Sequence, residues 1–194
     1  MNDGIGVIVP SAFEAAFLND VHEVYVSGMG KLRAAATVQT LVRDYGCKHI
    51  LLAGFCGGLS NCNVGDVVQP WRLMECDYDA RPLESWPNNV PIDSNGMLRC
   101  GGEWATFMCQ DKFIMGNPYA EFDIAGPVVT EMEGYAVAYT STVLGVPFNV
   151  VKIVSDMADG DADKHFADSC RKLAGKLAGT IAAAIAEIKG AVNG

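Results

Sequence analysis

Two carboxylates stand one residue apart at the border of an apolar run. The stretch TEMEGYAVA, residues 130–138, places Glu131 and Glu133 between the segments GPVV and YTSTVLGVPF. Such a pair is either a solvated helix end, which the helix dipole favours, or a set of acceptors aimed into a cleft. The spacing alone leaves both interpretations open.

Two more carboxyl groups follow apolar strand patterns. Ser155 and Asp156 come directly after FNVVKIV, and Glu14 lies in SAFEAAF shortly after IGVIV. A carboxyl group in an apolar cleft keeps its proton to a higher pH and can act as a general acid, whereas an ionised one can act as a base. The alternatives are a helix N-cap for the Ser155-Asp156 pair and a surface position for Glu14.

The elements that would position these side chains alternate between strands and helices. Strand patterns cover 5–9, 22–28, 48–54, 64–70, 105–110, 126–129 and 148–156. Helix patterns cover 12–18, 31–46, 131–145 and 166–194, with a glycine-rich turn at 54–60 and an irregular surface excursion at 75–104. This order predicts one α/β domain over 1–194, with a largely parallel sheet covered on both faces. The carboxyl ends of its strands are where a cleft is expected.

Charge and composition exclude several kinds of partner. The net charge of -9 argues against nucleic acid and against anionic lipid surfaces. We expect no signal peptide and no membrane span, and seven cysteines without C-x-x-C pairs predict the reducing cytoplasm. The three histidines, His22, His49 and His165, lack partners at ligand spacing. With no dinucleotide fingerprint either, we expect neither a metal nor a cofactor.

Several segments in sequence order resemble the purine nucleoside phosphorylase/nucleosidase superfamily, most closely its methylthioadenosine/S-adenosylhomocysteine nucleosidases. These segments are SGMGKLRAAAT, AGFCGGL followed by VGDVV, TEMEGYAVA, LGVPF and VKIVSD. The resemblance implies the nucleoside phosphorylase-like fold, a twisted mixed sheet partly closed into a barrel and flanked by helices. It also implies cleavage of the N-glycosidic bond of a purine nucleoside, and a homo-oligomer, either a dimer or larger.

The resemblance further implies roles for the carboxyl groups. Asp156 would be the general acid that protonates purine N7, with Ser155 orienting either Asp156 or the base. Glu14 would activate the attacking water. Glu133 would hold the ribose hydroxyls, because an ionised carboxylate offers two acceptor oxygens to two donors. Met132 would pack against the sugar.

The same resemblance implies which residues contact the purine and what Glu131 does. Phe113 would stack on the base, and the backbone groups of Phe113 and Ile114 would read its edge by hydrogen bonds. Glu131 would either reach the sugar or only support its loop, and both options stay open.

One position departs from the family pattern. Phe55, Cys56 and Gly57 match the segment beneath the sugar, where glycine lets backbone approach a ligand closely. The family often carries Ser or Thr where this chain has Phe55. A large ring in place of a hydroxyl removes the usual polar contact there and would fill part of the pocket.

The acceptor for the glycosyl group is predicted from anion chemistry. Phosphorylases of this superfamily carry an arginine at the position of Leu52, although Lys31 and Arg33 remain as candidate phosphate ligands. The missing arginine favours water. Lys152 takes the place of an arginine of some nucleosidases and would stabilise the Glu14 carboxylate. A phosphate-dependent phosphorylase and a non-catalytic nucleoside-binding relative stay as alternatives.

Overall fold

A computed structural model describes residues 4–18, 23–78, 91–94, 97–120 and 123–193. In these ranges the strands are Ile5–Val9 (β1), Val24–Val26 (β2), His49–Ser60 (β3), Val67–Glu75 (β4), Ile92–Asp93 (β5), Glu103–Cys109 (β6), Val128–Glu131 (β7) and Phe148–Asp156 (β8). The helices are Ala12–Ala15 (α1), Lys31–Arg43 (α2), Gly134–Leu144 (α3) and Ala162–Asn193 (α4).

The strands form one mixed sheet, part of which closes on itself. β3 pairs with both β7 and β8, β8 pairs with β4, β4 with β6, and β6 with β7. This circuit is a barrel of five strands, and β1 and β2 extend the sheet beyond β3 in parallel. The predicted mixed, partly barrel-like sheet is therefore confirmed.

Helices cover the sheet on both faces, as the sequence predicted. Val38 of α2 and Val137 of α3 pack in one buried layer, and Leu177 and Ile181 of α4 pack in another. Alternate side chains of β3 belong to opposite layers, as expected where strand side chains point to alternating faces. In the described part of the chain, no helix is long and apolar enough to cross a membrane.

The predicted glycine-rich turn at 54–60 is wrong, because β3 continues through it to Ser60. Residues 50–57 pair with β8, while Gly57 and Gly58 pair with β7 on the other side. Pairing with a strand on each side outweighs the low strand preference of glycine. The glycines are therefore parts of the barrel wall.

Several boundaries also differ from the predictions. β4 starts at Val67 and runs to Glu75, and the 75–104 excursion contains β5 and the start of β6. Residues 79–90 and 95–96 of that excursion, together with 19–22, lie outside the described residues. Helix α3 begins only at Gly134, because Glu131 ends strand β7. Helix α1 ends at Ala15 and α4 begins at Ala162, before the predicted residue 166.

The core predicts a large loss of stability for one substitution in the barrel. Phe107 of β6 is fully buried, so Phe107→Ala should lower the free energy of unfolding by about 3 to 5 kcal/mol. Phe113→Ala deletes the same atoms from a ring that is 45% exposed and should cost about 1 kcal/mol. Urea unfolding followed by circular dichroism measures both values. Equal losses would contradict the position of Phe107 in the core.

Candidate active site

A cavity of about 470 Å³ opens where several strands end. Its wall includes residues 10, 11, 13 and 14 after β1, residues 112–114 after β6, residues 130–133 around the end of β7, and residues 156 and 158 at the end of β8. Residues 55–57 of β3 also line it, as do 166 and 167 of α4. The strand ends thus form the predicted cleft.

Glu14 reaches the cavity from α1, whose N-cap is Ser11. The Ser11 hydroxyl accepts a hydrogen bond from the Glu14 backbone N–H (3.2 Å) and donates one to Glu14 Oε2 (2.7 Å). The backbone N–H of Phe55 donates to Oε1 at 3.0 Å. Gly54 makes room for this carboxylate, since a Cβ there would lie 2.5 Å from Oε1. Both oxygens are therefore fixed beside the cavity.

Asp156 is buried at the end of β8. Ser155 Oγ donates to Oδ2 (2.7 Å), and the Ala158 backbone N–H donates to Oδ1 (2.8 Å). Burial raises the pKa of Asp156, and the charge of Asp159 adds to the rise, although the two hydrogen bonds lower it. Because α4 begins only at Ala162, Asp156 is not its N-cap. A carboxyl group that holds its proton more tightly suits a general acid.

Ser155 does not belong to the cavity wall. Its side chain is fully buried, and its hydroxyl contacts Asp156 Oδ2 and the backbone oxygen of Cys56 (3.1 Å). Of the two predicted options, the geometry thus favours orientation of Asp156 over contact with the base.

Glu133 lines the cavity and is held by one cation and one helix end. Lys152 Nζ lies 3.2 Å from Glu133 Oε2, and the backbone N–H of Gly30, the N-cap of α2, donates to Oε1 at 3.0 Å. Burial raises the pKa of Glu133, Lys152 lowers it, and the charge of Glu131 raises it again. Each oxygen accepts once in this arrangement and keeps a lone pair for a ligand hydroxyl.

Lys152 lies behind the wall, which corrects its predicted place among the substrate contacts. Its side chain is fully buried, does not line the cavity, and lies 3.2 Å from Glu133 and 3.7 Å from Glu131. Burial lowers the pKa of Lys152, but the charges of Glu133, Glu131 and Glu14 outweigh this and raise it. Lys152 is the counter-ion of the glutamate pair first, and of Glu14 only at longer range.

Glu131 turns towards helix α3. Its Oε2 accepts from the backbone N–H groups of Glu133 (2.9 Å) and Gly134 (2.7 Å) at the start of α3. Its Oε1 is buried near Leu73. The geometry therefore favours the loop-supporting option for Glu131.

The residues expected to meet the base lie on one wall. Phe113 meets Phe166 of α4 edge-on, with ring centroids 6.1 Å apart, and Ile114 and Met132 line the cavity beside them. Among the described residues, no hydrogen bond engages the backbone N–H or C=O groups of Phe113 and Ile114. These groups are available to a ligand, as the predicted reading of the base edge requires.

Strand β3 supplies the remaining predicted residues. Cys56 and Gly57 line the cavity, and a Cβ on Gly57 would lie 3.1 Å from Thr130 Cγ2 and 3.3 Å from Asp156 Oδ1. A side chain at Gly57 would therefore crowd both neighbours. Phe55 is buried in the layer beneath α4 and is also one of the residues that line the cavity.

The sequence did not single out several residues of the wall, among them Phe13, Met29, Lys112, Thr130 and Phe166. Phe13 and Phe166 lie within predicted helices, where an aromatic side chain is normally read as core. Within the described ranges, no three His, Cys, Asp or Glu side chains converge as a metal site would need.

Two known nucleosidases are similar to this chain in sequence. The 5′-methylthioadenosine/S-adenosylhomocysteine nucleosidase of Actinobacillus succinogenes is 28% identical, with 78% of each chain covered. The aminodeoxyfutalosine nucleosidase of Helicobacter pylori is 25% identical, with 78% of this chain and 74% of that protein covered.

A solved structure shares the fold. It is the 5′-methylthioadenosine/S-adenosylhomocysteine nucleosidase of Neisseria meningitidis in complex with methylthio-immucillin-A, with a TM-score of 0.81 at 23% identity over 93% of this chain and 97% of that one. The sequence profile described as the Phosphorylase superfamily matches residues 8–100 and 104–187. Because this match spans most of the sequence, the chain belongs to the Phosphorylase superfamily.

Proposed function

We propose that the chain hydrolyses the N-glycosidic bond of a purine nucleoside of the methylthioadenosine/S-adenosylhomocysteine type, releasing the free base and a ribose product. One observation carries the proposal. Asp156, Glu133 and Glu14 line a single cavity, and Glu133 is paired with a buried lysine while neutral groups hold Asp156. The similarity to nucleosidases supports the same reaction.

Asp156 acts on the leaving group. A purine leaves poorly as an anion, and a proton delivered to N7 lets it depart as a neutral base. The raised pKa of Asp156 favours the protonated carboxyl group that this step requires. The bond between C1′ and N9 then breaks with its electron pair moving into the protonated base.

Glu133 and Glu14 act on the sugar and the water. Glu133 accepts hydrogen bonds from the ribose hydroxyls, and its negative charge stabilises the oxocarbenium character that develops at the ring. Glu14 takes a proton from the water that attacks C1′, and the remaining hydroxide completes the new C–O bond. The proton that Asp156 loses is matched by the one that Glu14 gains.

Charge favours water over phosphate as the acceptor. Glu14, Glu131 and Glu133 line the cavity together with the carboxyl group of Asp156, whereas the described wall holds one basic side chain, Lys112. Of the two predicted alternative ligands, Lys31 is bound to Glu75 (2.6 Å) and to Asp77, and Arg33 donates to the Met29 backbone oxygen (3.1 Å). Leu52 is buried in the core. A phosphate dianion would therefore meet like charges.

The 5′-substituent is proposed to be apolar. The rings of Phe13, Phe113 and Phe166 and the side chain of Met29 line the cavity. Because one relative is an aminodeoxyfutalosine nucleosidase, the 5′-substituent of aminodeoxyfutalosine is the alternative. A cytoplasmic location and a homo-oligomer, dimeric or larger, remain proposals from the sequence.

The first experiment separates the three functional classes. Incubation with methylthioadenosine should release adenine at the same rate with and without phosphate, because water is the acceptor. Liquid chromatography measures the base. Release only with phosphate would identify a phosphorylase, and no base from a panel including S-adenosylhomocysteine and aminodeoxyfutalosine would support the non-catalytic relative.

Removal of the proposed acid should abolish most turnover. Asp156→Asn should lower kcat by at least about 100-fold, because an amide cannot supply the proton. Its thermal midpoint at neutral pH should not fall, because a raised pKa means that the folded state loses stability as pH rises through it. Asp168→Asn, on the exposed surface of α4, is the control. Near-normal turnover of Asp156→Asn would exclude Asp156 as the acid.

The pH profile of kcat/KM should fall on both sides. Activity is lost at low pH as Glu133 is protonated, and at high pH as Asp156 ionises. Because the charge of Asp159 raises the pKa of Asp156, Asp159→Asn should move the alkaline limb to lower pH. Steady-state rates of this variant, wild type and Asp168→Asn measure the shift. An alkaline limb that stays in place or moves upward would contradict the assignment to Asp156.

A further inference from the structure

A series of buried and partly buried hydrogen bonds joins the base-side loop to the cavity wall. The Tyr119 hydroxyl donates to Gln110 Oε1, and Gln110 Nε2 donates to Thr130 Oγ1 and to the Met108 backbone oxygen (3.4 Å). Gln110 is 2% exposed and Thr130 7% exposed. None of these three side chains is among the groups that perform the proposed chemistry.

The direction of this series of hydrogen bonds is fixed by Met108. A backbone carbonyl can only accept, so it must face the NH₂ group of Gln110, which leaves Gln110 Oε1 to accept from Tyr119. The second N–H of the same amide then points at Thr130, whose hydroxyl acts as the acceptor. Every polar atom of the buried Gln110 amide is used, as burial demands.

Gln110 joins the two ends of one loop. It stands directly after β6, and Tyr119 lies nine positions on, with Phe113 and Ile114 between them. The Gln110 backbone N–H also donates to the Glu131 oxygen (3.1 Å), and Asn117 Nδ2 donates to the Leu59 oxygen (3.2 Å). The loop is thus held at its ends and by a hydrogen bond from the Gly116 backbone N–H to the Ala158 oxygen, while the backbone groups of Phe113 and Ile114 stay available to a ligand.

Thr130 connects Gln110 to the part of the cavity wall that Gly57 forms. Its hydroxyl is engaged by Gln110, so its methyl group is the part that lies 3.1 Å from where a Gly57 side chain would begin. Gly57 pairs in register with Thr130 on one side and with Asp156 on the other. Tyr119, at one end of this series of hydrogen bonds, therefore holds the loop. Thr130, at the other end, holds the wall beside the proposed acid.

From this geometry we infer that Gln110 is a positioning residue for the purine base, acting through Tyr119 and Thr130 on the two surfaces that enclose it. This inference rests on the proposed function, because it takes the ligand to be a purine. Loss of any one member releases both surfaces, so the three substitutions should not add. The base loses affinity while the carboxylates that perform the reaction keep their positions.

The test measures adenine affinity by calorimetry and steady-state kinetics with methylthioadenosine. Gln110→Met, Tyr119→Phe and Thr130→Val should each weaken adenine binding about tenfold, the equivalent of one hydrogen bond of ordinary strength. KM should rise while kcat changes little, as expected when ground state and transition state lose the same contact. Gln110→Met combined with Tyr119→Phe should lose no more than either alone.

Three controls separate positioning from general damage. Gln69→Met removes a second buried amide, which binds the Cys100 backbone N–H at 2.8 Å outside the cavity, and should leave adenine affinity unchanged. Tyr45→Phe, in a half-exposed ring, should be neutral. Thr130→Ser keeps the hydroxyl that Gln110 needs and should weaken adenine binding less than Thr130→Val does.

The outcomes distinguish this inference from the proposed function. Wild-type affinity in Gln110→Met, or additive losses in the double variant, would overturn the inference alone. A wild-type protein that binds adenine but releases no base would overturn the hydrolase and leave the inference standing on its binding data. Absence of purine binding by the wild type would overturn both.

Discussion

The buried ammonium of Lys152 is the charge on which the arrangement of the cavity depends. It lies within 3.7 Å of both Glu131 and Glu133, which would otherwise be two like charges in an apolar layer. Removing one partner of a buried ion pair typically costs about 3 to 5 kcal/mol. Lys152 lowers the pKa of Glu133, which burial raises, while Asp156 is held by neutral donors and its pKa is raised by burial. The two carboxyl groups thus lie in different electrostatic surroundings within one cavity, one beside a cation and one without.

Two glycines of strand β3 make room for the carboxyl groups of the cavity. Gly54 pairs in register with Lys152, and the Glu14 carboxylate occupies the space that a side chain at Gly54 would take. Gly57 does the same between Thr130 and Asp156, where it leaves a flat stretch of backbone. The glycines of strand β3 therefore leave room above its backbone, and polar groups of the neighbouring elements lie in that room. The continuous pairing of β3 holds this backbone in place.

The sequence predicted the features that depend on local patterns of residues. Alternating strands and helices identified the sheet, and the ends of β1, β7 and β8 identified Glu14, Glu133 and Asp156 as neighbours. Contacts between distant residues could not be predicted in this way. The partners of Lys152, the support of α3 by Glu131 and the path of β3 through its glycines all depend on pairing between distant strands.

The negative charges of the cavity determine which reaction it favours more directly than any single sequence motif does. At an effective dielectric constant near 20, two unit charges 4 Å apart interact by about 4 kcal/mol. A phosphate dianion beside Glu133 and Glu14 would meet several such repulsions, and the buried ammonium of Lys152 is already engaged. A neutral nucleoside forms hydrogen bonds with Glu133, but it carries no positive charge for these carboxylates to attract until the glycosidic bond begins to break. Positive charge then develops at the sugar, so the attraction stabilises the transition state and not the bound substrate. An interaction of that kind raises kcat without tightening ground-state binding.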